Sequence, residues 1–389
     1  MKLFALSTLL AAVSSAYAQT ACNGDASLCS KTYNSLTYLT THNSYAYENN
    51  AAANQHYPIT TQLTDGIRGL KLSAVQGNQS GVIELCHTSC SLLDSGTGSN
   101  TLTAIASWLD ANPNEVVTIM WNNLGNFPIS AFESAYQGGG NIMNYVYTQP
   151  VGSLTWPTLQ SMISSGKRLV NFVDTGADQT TAPWYVNISL LRGSGTSIRL
   201  LPFECSVKVN VFCVISTVPL PLAIYFPFRL MSQFDYVFET PYDNQNLTAF
   251  TCTIDRPTNP TTPDQMMYVM NHFLYGVYNI GSTVIEVPQS GTANVTNGQS
   301  LQTQATQCTQ TFGRQPNFIE VDFYEQGTCF QVVDSLNNVA YVSKSLGSAT
   351  ATSTSGKTTI NNAAPSSSKS FSYLTLAGLT LGAFLFVTM

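Results

Sequence analysis

Thr101–Pro113, TLTAIASWLDANP, stands between two short apolar runs, VIELCH at 82–87 and EVVTIMW at 115–121. Leu102, Ile105, Ala106 and Leu109 fall at i, i+3, i+4 and i+7, which is one face of an α-helix. Asn100 is placed to cap its start, and Asn112-Pro113 ends it. Strand, helix, strand in succession implies parallel pairing. Similar apolar runs recur along the chain: YLTTH, IRGLKLSAV, RLVNFVD, FDYVFET and NFIEVDFY. About seven such strands in one domain favour a distorted (β/α) barrel of the TIM type over an open sheet. No glycine-rich phosphate fingerprint supports the open sheet.

The two ends carry signals of their own. Lys2, the run LFALSTLLAAV and Ala16-Tyr17-Ala18 read as a signal peptide over residues 1–18. Residues 19–344 hold the barrel. Residues 345–362 form a Ser/Thr-rich linker that should not pack a core. Residues 363–389 end in FSYLTLAGLTLGAFLFVTM, apolar to the last residue. Small residues, a polar spacer and that tail predict a GPI-attachment signal with Asn362 as the site. An ordinary tail anchor is the other reading, but no basic residue follows the tail to hold it in a cytoplasmic leaflet.

Removal of both ends takes away Lys2 and Lys369, leaving 13 basic residues against 21 acidic. That balance excludes nucleic acid and anionic membrane surfaces as main partners. The expected location is the extracellular face of the plasma membrane or the wall, with the membrane reached through the GPI anchor. Asn78, Asn246 and Asn294 open N-x-S/T sequons suited to glycosylation. Secretion makes disulfides expected. Cys22–Cys29 and Cys86–Cys90 are the simplest local pairs, and Cys252–Cys308 is a plausible long one. Cys329 is left over, Cys205 and Cys213 lie in the segment described next, and connectivity stays open.

Residues 187–232 do not fit the rest. They carry four basic residues and one acid, and Pro219, Pro221 and Pro227 break a nearly uncharged run. Neither a membrane span nor a central strand tolerates prolines so spaced. The segment reads as a retained intron translated in frame, or as an insertion.

The chain has four histidines. His42 ends YLTTH and His87 ends VIELCH. In a parallel barrel the strand C-termini form the active face. Two histidines there can take a proton from an attacking hydroxyl and give one to a leaving oxygen. A Cys86–Cys90 bridge would close a tight loop around His87 and fix its ring.

THNSYA, DGIRGLKLS, LCHTSC, PNEVVTIMW and NFIEVDFY resemble, in order and spacing, the phosphatidylinositol-specific phospholipase C X-domain superfamily, and its secreted fungal phospholipase C-like phosphodiesterases above all. The resemblance covers roughly residues 22–343, apart from 187–232. It implies a distorted (β/α) barrel that cleaves a phosphodiester by acid–base chemistry, with a neighbouring substrate hydroxyl attacking phosphorus. His42 would be the general base, His87 the general acid and Asp322 the carboxylate orienting His42. Asn43 would contact phosphate or metal.

Calcium-dependent members carry carboxylates at the positions of Lys71, Ser73 and Asn122. Calcium wants mostly anionic oxygen ligands, so no metal and no other cofactor is expected here. Calcium-free bacterial members carry an arginine at the position of Ser73. Lys71 and Ser73 share one strand face by alternation, and with Asn43 and Asn122 they are the candidate phosphate-binding set. Lys71 would supply positive charge to the transition state, unless it reaches solvent past the rim. Arg68 reads as a structural salt bridge, His56 as a surface residue and His272 as a satisfied core histidine on an apolar helical face. Asp174 and Glu239 could line the mouth, and Trp121 reads as packing. Two functions follow: a phosphoric diester hydrolase acting on a phospholipid or glycerophosphodiester-like substrate, or a catalytically inactive barrel that binds a phosphate-bearing ligand or cell-wall glycan.

Overall fold

The computed structural model describes residues 21–47, 50–87, 89–177, 230–280 and 283–347. Its first part runs β1 (Tyr38–Thr41), α1 (Ile59–Asp65), β2 (Gly69–Gln76), β3 (Ile83–His87), β4 (Leu93–Thr97), α2 (Gly98–Ala111), β5 (Val117–Asn122) and α3 (Ile129–Gln137). There follow α4 (Leu159–Ser165), β6 (Leu169–Val173), β7 (Met231–Ser232), α5 (Gln233–Tyr236), β8 (Val237–Glu239) and β9 (Met267–Asn271). The last elements are β10 (Tyr275–Ile280), β11 (Thr283–Pro288), α6 (Ala293–Val295), α7 (Leu301–Phe312), β12 (Phe318–Val321) and α8 (Cys329–Leu336).

Eight strands pair in parallel in the order β7-β6-β5-β2-β1-β12-β9-β8, a curled sheet left open between β7 and β8 among the described residues. This is the distorted (β/α) barrel expected of the sequence. The α2 helix is longer than its apolar stripe shows: it begins at Gly98, and the Thr97 side chain, rather than Asn100, caps it by accepting from the Asn100 amide. Leu102, Ile105, Ala106 and Leu109 are buried as the spacing requires.

VIELCH corrects the sequence reading. β3 is antiparallel to β2 and pairs onward with β4, so it is an excursion from the barrel and not one of its parallel strands. The cause is the length of β2. Its first five residues pair with β5, and its last three run past the barrel rim to meet β3. The antiparallel return then carries His87 back toward the mouth.

Alternation sorts the wall into two faces. Leu39, Leu72, Ile119, Val173 and Ile319 meet α1, α2, α3 and α8 on the outside. Tyr38, Met120, Phe172, Val237, Val269 and Phe318 fill the inside, packed from below by Tyr33 and Trp156. Moving toward the strand C-termini, the same inward positions become polar: Thr40, Lys71, Ser73, Asn122, Glu239, Asn271 and Glu320. The barrel is thus an apolar plug under a polar mouth. Gly69 is needed where β1 and β2 close up, since a Cβ there would lie 2.1 Å from Thr40 Oγ1.

The disulfides Cys22–Cys29, Cys86–Cys90 and Cys252–Cys308 form, and Cys329 is a buried thiol. Met231 and Ser232 belong to barrel strand β7, paired with Phe172 and Val173, so the end of the 187–232 segment is part of the sheet. Residues 187–229 of that segment, the signal peptide, most of the linker, Asn362 and the apolar tail lie outside the described residues. Among the described residues no helix is long and apolar enough to cross a membrane. Asn78, Asn246 and Asn294 are all exposed.

Candidate active site

His42 follows the last residue of β1, and Asp322 follows the last residue of the adjoining β12. Parallel register brings their side chains together. The His42 Nδ1–H donates to Asp322 Oδ1 at 3.0 Å, both residues being buried. With Nδ1 so engaged, Nε2 carries the lone pair. Asn43 Nδ2 and the Tyr275 hydroxyl each lie 3.1 Å from it and donate to it. Phe273 stacks on the imidazole at 3.8 Å and 5°. Asn54 Nδ2 donates to Asp322 Oδ1 at 3.0 Å, which shares the load on the carboxylate. Burial still pushes the Asp322 carboxyl above its usual range, with the His42 interaction working against it.

The chain turns sharply beyond both residues. Asn43 and Phe323 have φ of 42° and 47°, in the left-handed region. Asparagine adopts that region readily, whereas for phenylalanine it is strained. Phe323 is held there: its amide donates to Asn54 O at 2.9 Å, and Asn297 Nδ2 donates to the carbonyls of Asp322 and Phe323 at 2.8 and 3.1 Å.

His87 is the last residue of β3 and is buried. The Tyr45 hydroxyl donates to Cys86 O at 3.1 Å and lies 3.5 Å from Asn43 Oδ1, so one tyrosine links the strand of His87 to the neighbour of His42. Burial first, and the His42 charge second, lower the His87 pKa from 6.5 to about 4. The two imidazoles therefore sense each other electrostatically.

Ser73 donates to Asn43 Oδ1 at 3.3 Å, next to His42. Asn122 lies at the end of β5, where its Oδ1 is buried without a partner among the described residues. Lys71 does not reach solvent. Only 2% exposed, its Nζ lies 4.0 Å from Glu239 Oε2 and has no hydrogen-bond acceptor among the described residues. Glu239 also pairs with Arg256. Glu320 is fully enclosed, and burial raises its carboxyl pKa against the pull of Lys71 and His42.

Calcium does not fit this donor set. The Lys71 ammonium, the Ser73 hydroxyl and the Asn122 amide stand where anionic oxygens would be wanted. Among the described residues, the one group of three His, Cys, Asp or Glu donors close enough for a metal is Glu84, Cys86 and Cys90, and both cysteines are in a disulfide.

The remaining residues separate cleanly. Arg68 pairs with Glu115 at 2.6 Å and covers Trp108. His56 is on the surface beside Glu325. His272 is buried and satisfied by Gln304 and Thr296 O, as expected of a core histidine, but it follows strand β9 and is not on a helix. Trp121 is core, donating to the Tyr136 hydroxyl. Asp174 accepts from the Asn123 amide. Sequence reasoning passed over Asn54, Phe273, Tyr275, Arg256 and Glu320. Glu320 had a signal, since alternation in EVDFY puts it on the face of Asp322. Read as strand continuation, MNHFLYG would likewise have put Phe273 and Tyr275 together.

A family model described as PI-PLC X 1 matches residues 28–189 and 226–337. The chain belongs to the PI-PLC X domain family. Two relatives come from Arthroderma benhamiae. One, named uncharacterized secreted protein, is 32% identical over 85% of this chain and 66% of its own length. The other, PI-PLC X domain-containing protein 1, is 30% identical over 82% of this chain and 90% of its own length. Among solved structures, the phosphatidylinositol-specific phospholipase C from Listeria monocytogenes is 15% identical and covers 80% of this chain and 96% of its own, with a TM-score of 0.47. A mutant of the enzyme from Staphylococcus aureus is 14% identical and covers 79% and 93%, with a TM-score of 0.47. The family relates this chain to phosphodiesterases.

Proposed function

We propose that the chain is a secreted, metal-independent phosphoric diester hydrolase of the phospholipase C type. The observation that carries the reading is the Asp322–His42 pair on adjoining barrel strands, with His87 close enough to sense the His42 charge. His42 Nε2 takes the proton of a substrate hydroxyl next to the phosphodiester. That oxygen attacks phosphorus, and a new O–P bond forms as the bond to the leaving oxygen breaks. His87 gives its proton to the leaving oxygen, so an alcohol and a cyclic phosphodiester result. Asp322 fixes the His42 tautomer and stabilises the imidazolium that forms.

His87 must be protonated for this task, yet burial and the His42 charge keep its pKa near 4. A bound phosphodiester anion supplies the missing negative charge and raises it. Lys71, with its charge held 4.0 Å from Glu239, supports the phosphoryl group from below, and Asn43, Ser73 and Asn122 bind it at the rim. The substrate is a phospholipid or a glycerophosphodiester-like molecule.

The test is turnover of a cyclisable phosphodiester, with and without chelator, by the wild type and by His42→Ala. Chelator-resistant turnover lost in the variant is expected. The replacement of the family's carboxylates by Lys71, Ser73 and Asn122 favours a second reading, an inactive barrel that binds a phosphate-bearing ligand or wall glycan. Absent turnover together with saturable binding of inorganic phosphate would select it.

The same proposal includes export by residues 1–18, glycosylation at Asn78, Asn246 and Asn294, and GPI attachment at Asn362. The name of the secreted relative and the exposure of the three sequon asparagines support export and glycosylation. Release from cells by a GPI-cleaving enzyme tests the anchor. The family match omits residues 190–225, which supports an intron or insertion there. Transcript sequencing decides between the two.

A further inference from the structure

We infer that Tyr275 is the positioning residue of the general base: its hydroxyl donates to His42 Nε2, holds the ring aimed into the mouth, and yields its place to the attacking hydroxyl of the substrate. The inference rests on the reading of His42 as base and adds a part to it.

Nε2 has one in-plane lone pair, and two donors face it at 3.1 Å, Asn43 Nδ2 and the Tyr275 hydroxyl. Asn43 has a second acceptor, Asn54 Oδ1 at 3.3 Å. Among the described residues the hydrogen bond of the Tyr275 hydroxyl is the one to His42. Tyr275 is not carried on a loose loop. Its amide donates to Asn244 O at 2.9 Å, and its carbonyl accepts from Gln289 Nε2 at 2.6 Å. Its ring meets the edge of His42 at 5.8 Å and 80°, while Phe273 covers the imidazole face. The base is therefore boxed on three sides, with the hydroxyl at the point where a proton must arrive. Burial and the nearby Asp322 and Glu320 carboxylates hold the phenol well above its ordinary pKa, so it stays a neutral donor throughout any assay. A substrate hydroxyl on the same atom turns the phenol toward the phosphoryl oxygens.

A neutral donor on Nε2 favours neutral imidazole. Its removal must raise the proton affinity of His42, while Asp322 and Glu320 on β12, Lys71 on β2 and His87 on β3 stay in place. The experiment is an NMR titration of the histidine rings in the full chain. It compares the wild type, Tyr275→Phe and a protein with 3-fluorotyrosine at position 275, whose more acidic phenol is a stronger donor and whose shape preserves the fold. The His42 midpoint should rise by about half to one pH unit in Tyr275→Phe and fall with fluorotyrosine. His56 and His272, which lie elsewhere, should not move. The acid limb of kcat/KM should shift with His42. A His42 midpoint unchanged in both proteins overturns the inference. Shifts without turnover in any protein would leave the positioning role standing and remove the hydrolase reading. Turnover without shifts would do the reverse.

Discussion

Lys71→Met should unfold the barrel more readily than its position at a mouth implies, and Glu239→Gln should rescue it. Nζ and Oε2 lie 4.0 Å apart and both side chains are buried. At an effective dielectric of about 20, that separation corresponds to about 4 kcal/mol of attraction. Removing one partner of a buried pair typically costs about 3–5 kcal/mol, because the other charge is stranded. Here Arg256 still faces Glu239, so the loss belongs at about 3 kcal/mol. In Lys71→Met/Glu239→Gln no charge is stranded within the wall, and Arg256, about a third exposed, can turn to water. The double variant should regain about 2–3 kcal/mol over the sum of the singles. Urea denaturation of all four proteins, with m held constant, completes the cycle. Single-variant losses that add within about 0.5 kcal/mol would refute the pair. The folded double variant also isolates the chemical role of Lys71: turnover should stay lost although stability returns.

Asp322→Asn should lower kcat by about 10²–10⁴ through loss of the correct His42 tautomer, with a circular dichroism spectrum like that of the wild type. Breaking the Cys86–Cys90 bridge by paired Cys→Ala changes should cost about 2 kcal/mol from loop entropy and lower kcat more than it raises KM, since the loop carries His87. His272 is held neutral in the core, its pKa lowered from 6.5 to about 4 by burial. The unfolded chain therefore binds more protons there between those values, and stability contributed above pH 6.5 is lost as pH falls toward 4. The His272→Gln variant should lose up to about 3 kcal/mol of that pH dependence in denaturation curves. Leu109→Ala, emptying the buried side of α2, should cost about 2–5 kcal/mol in the same assay.

The stripe of α2 was legible because amphipathic spacing is a local property, and EVVTIMW after it is the parallel strand β5, but VIELCH before it is not a parallel barrel strand. Strand partners are not local. VIELCH has the composition of any buried strand, and nothing within it tells that β2 overruns the rim and pairs with it backwards. Met267–Asn271 fell to a similar ambiguity, since a short apolar run can satisfy a helix or a strand until its neighbours are known. At the candidate site, the resemblance pointed to Asp322 beside His42, and those two side chains meet. Asn54 was not legible: it lies in a polar stretch without period and reaches Asp322 across 268 residues. The fate of Lys71 was equally hidden, because alternation gives the face of a side chain and not the acid it meets from β8.

The proposed acid, His87, and the proposed base, His42, do not share a support. His42 and Asp322 belong to the continuous wall, whereas His87 rides on a two-strand flap pinned by a short bridge. If the proposed roles hold, a reductant should silence turnover at temperatures where the wall stays folded, and reoxidation should restore it.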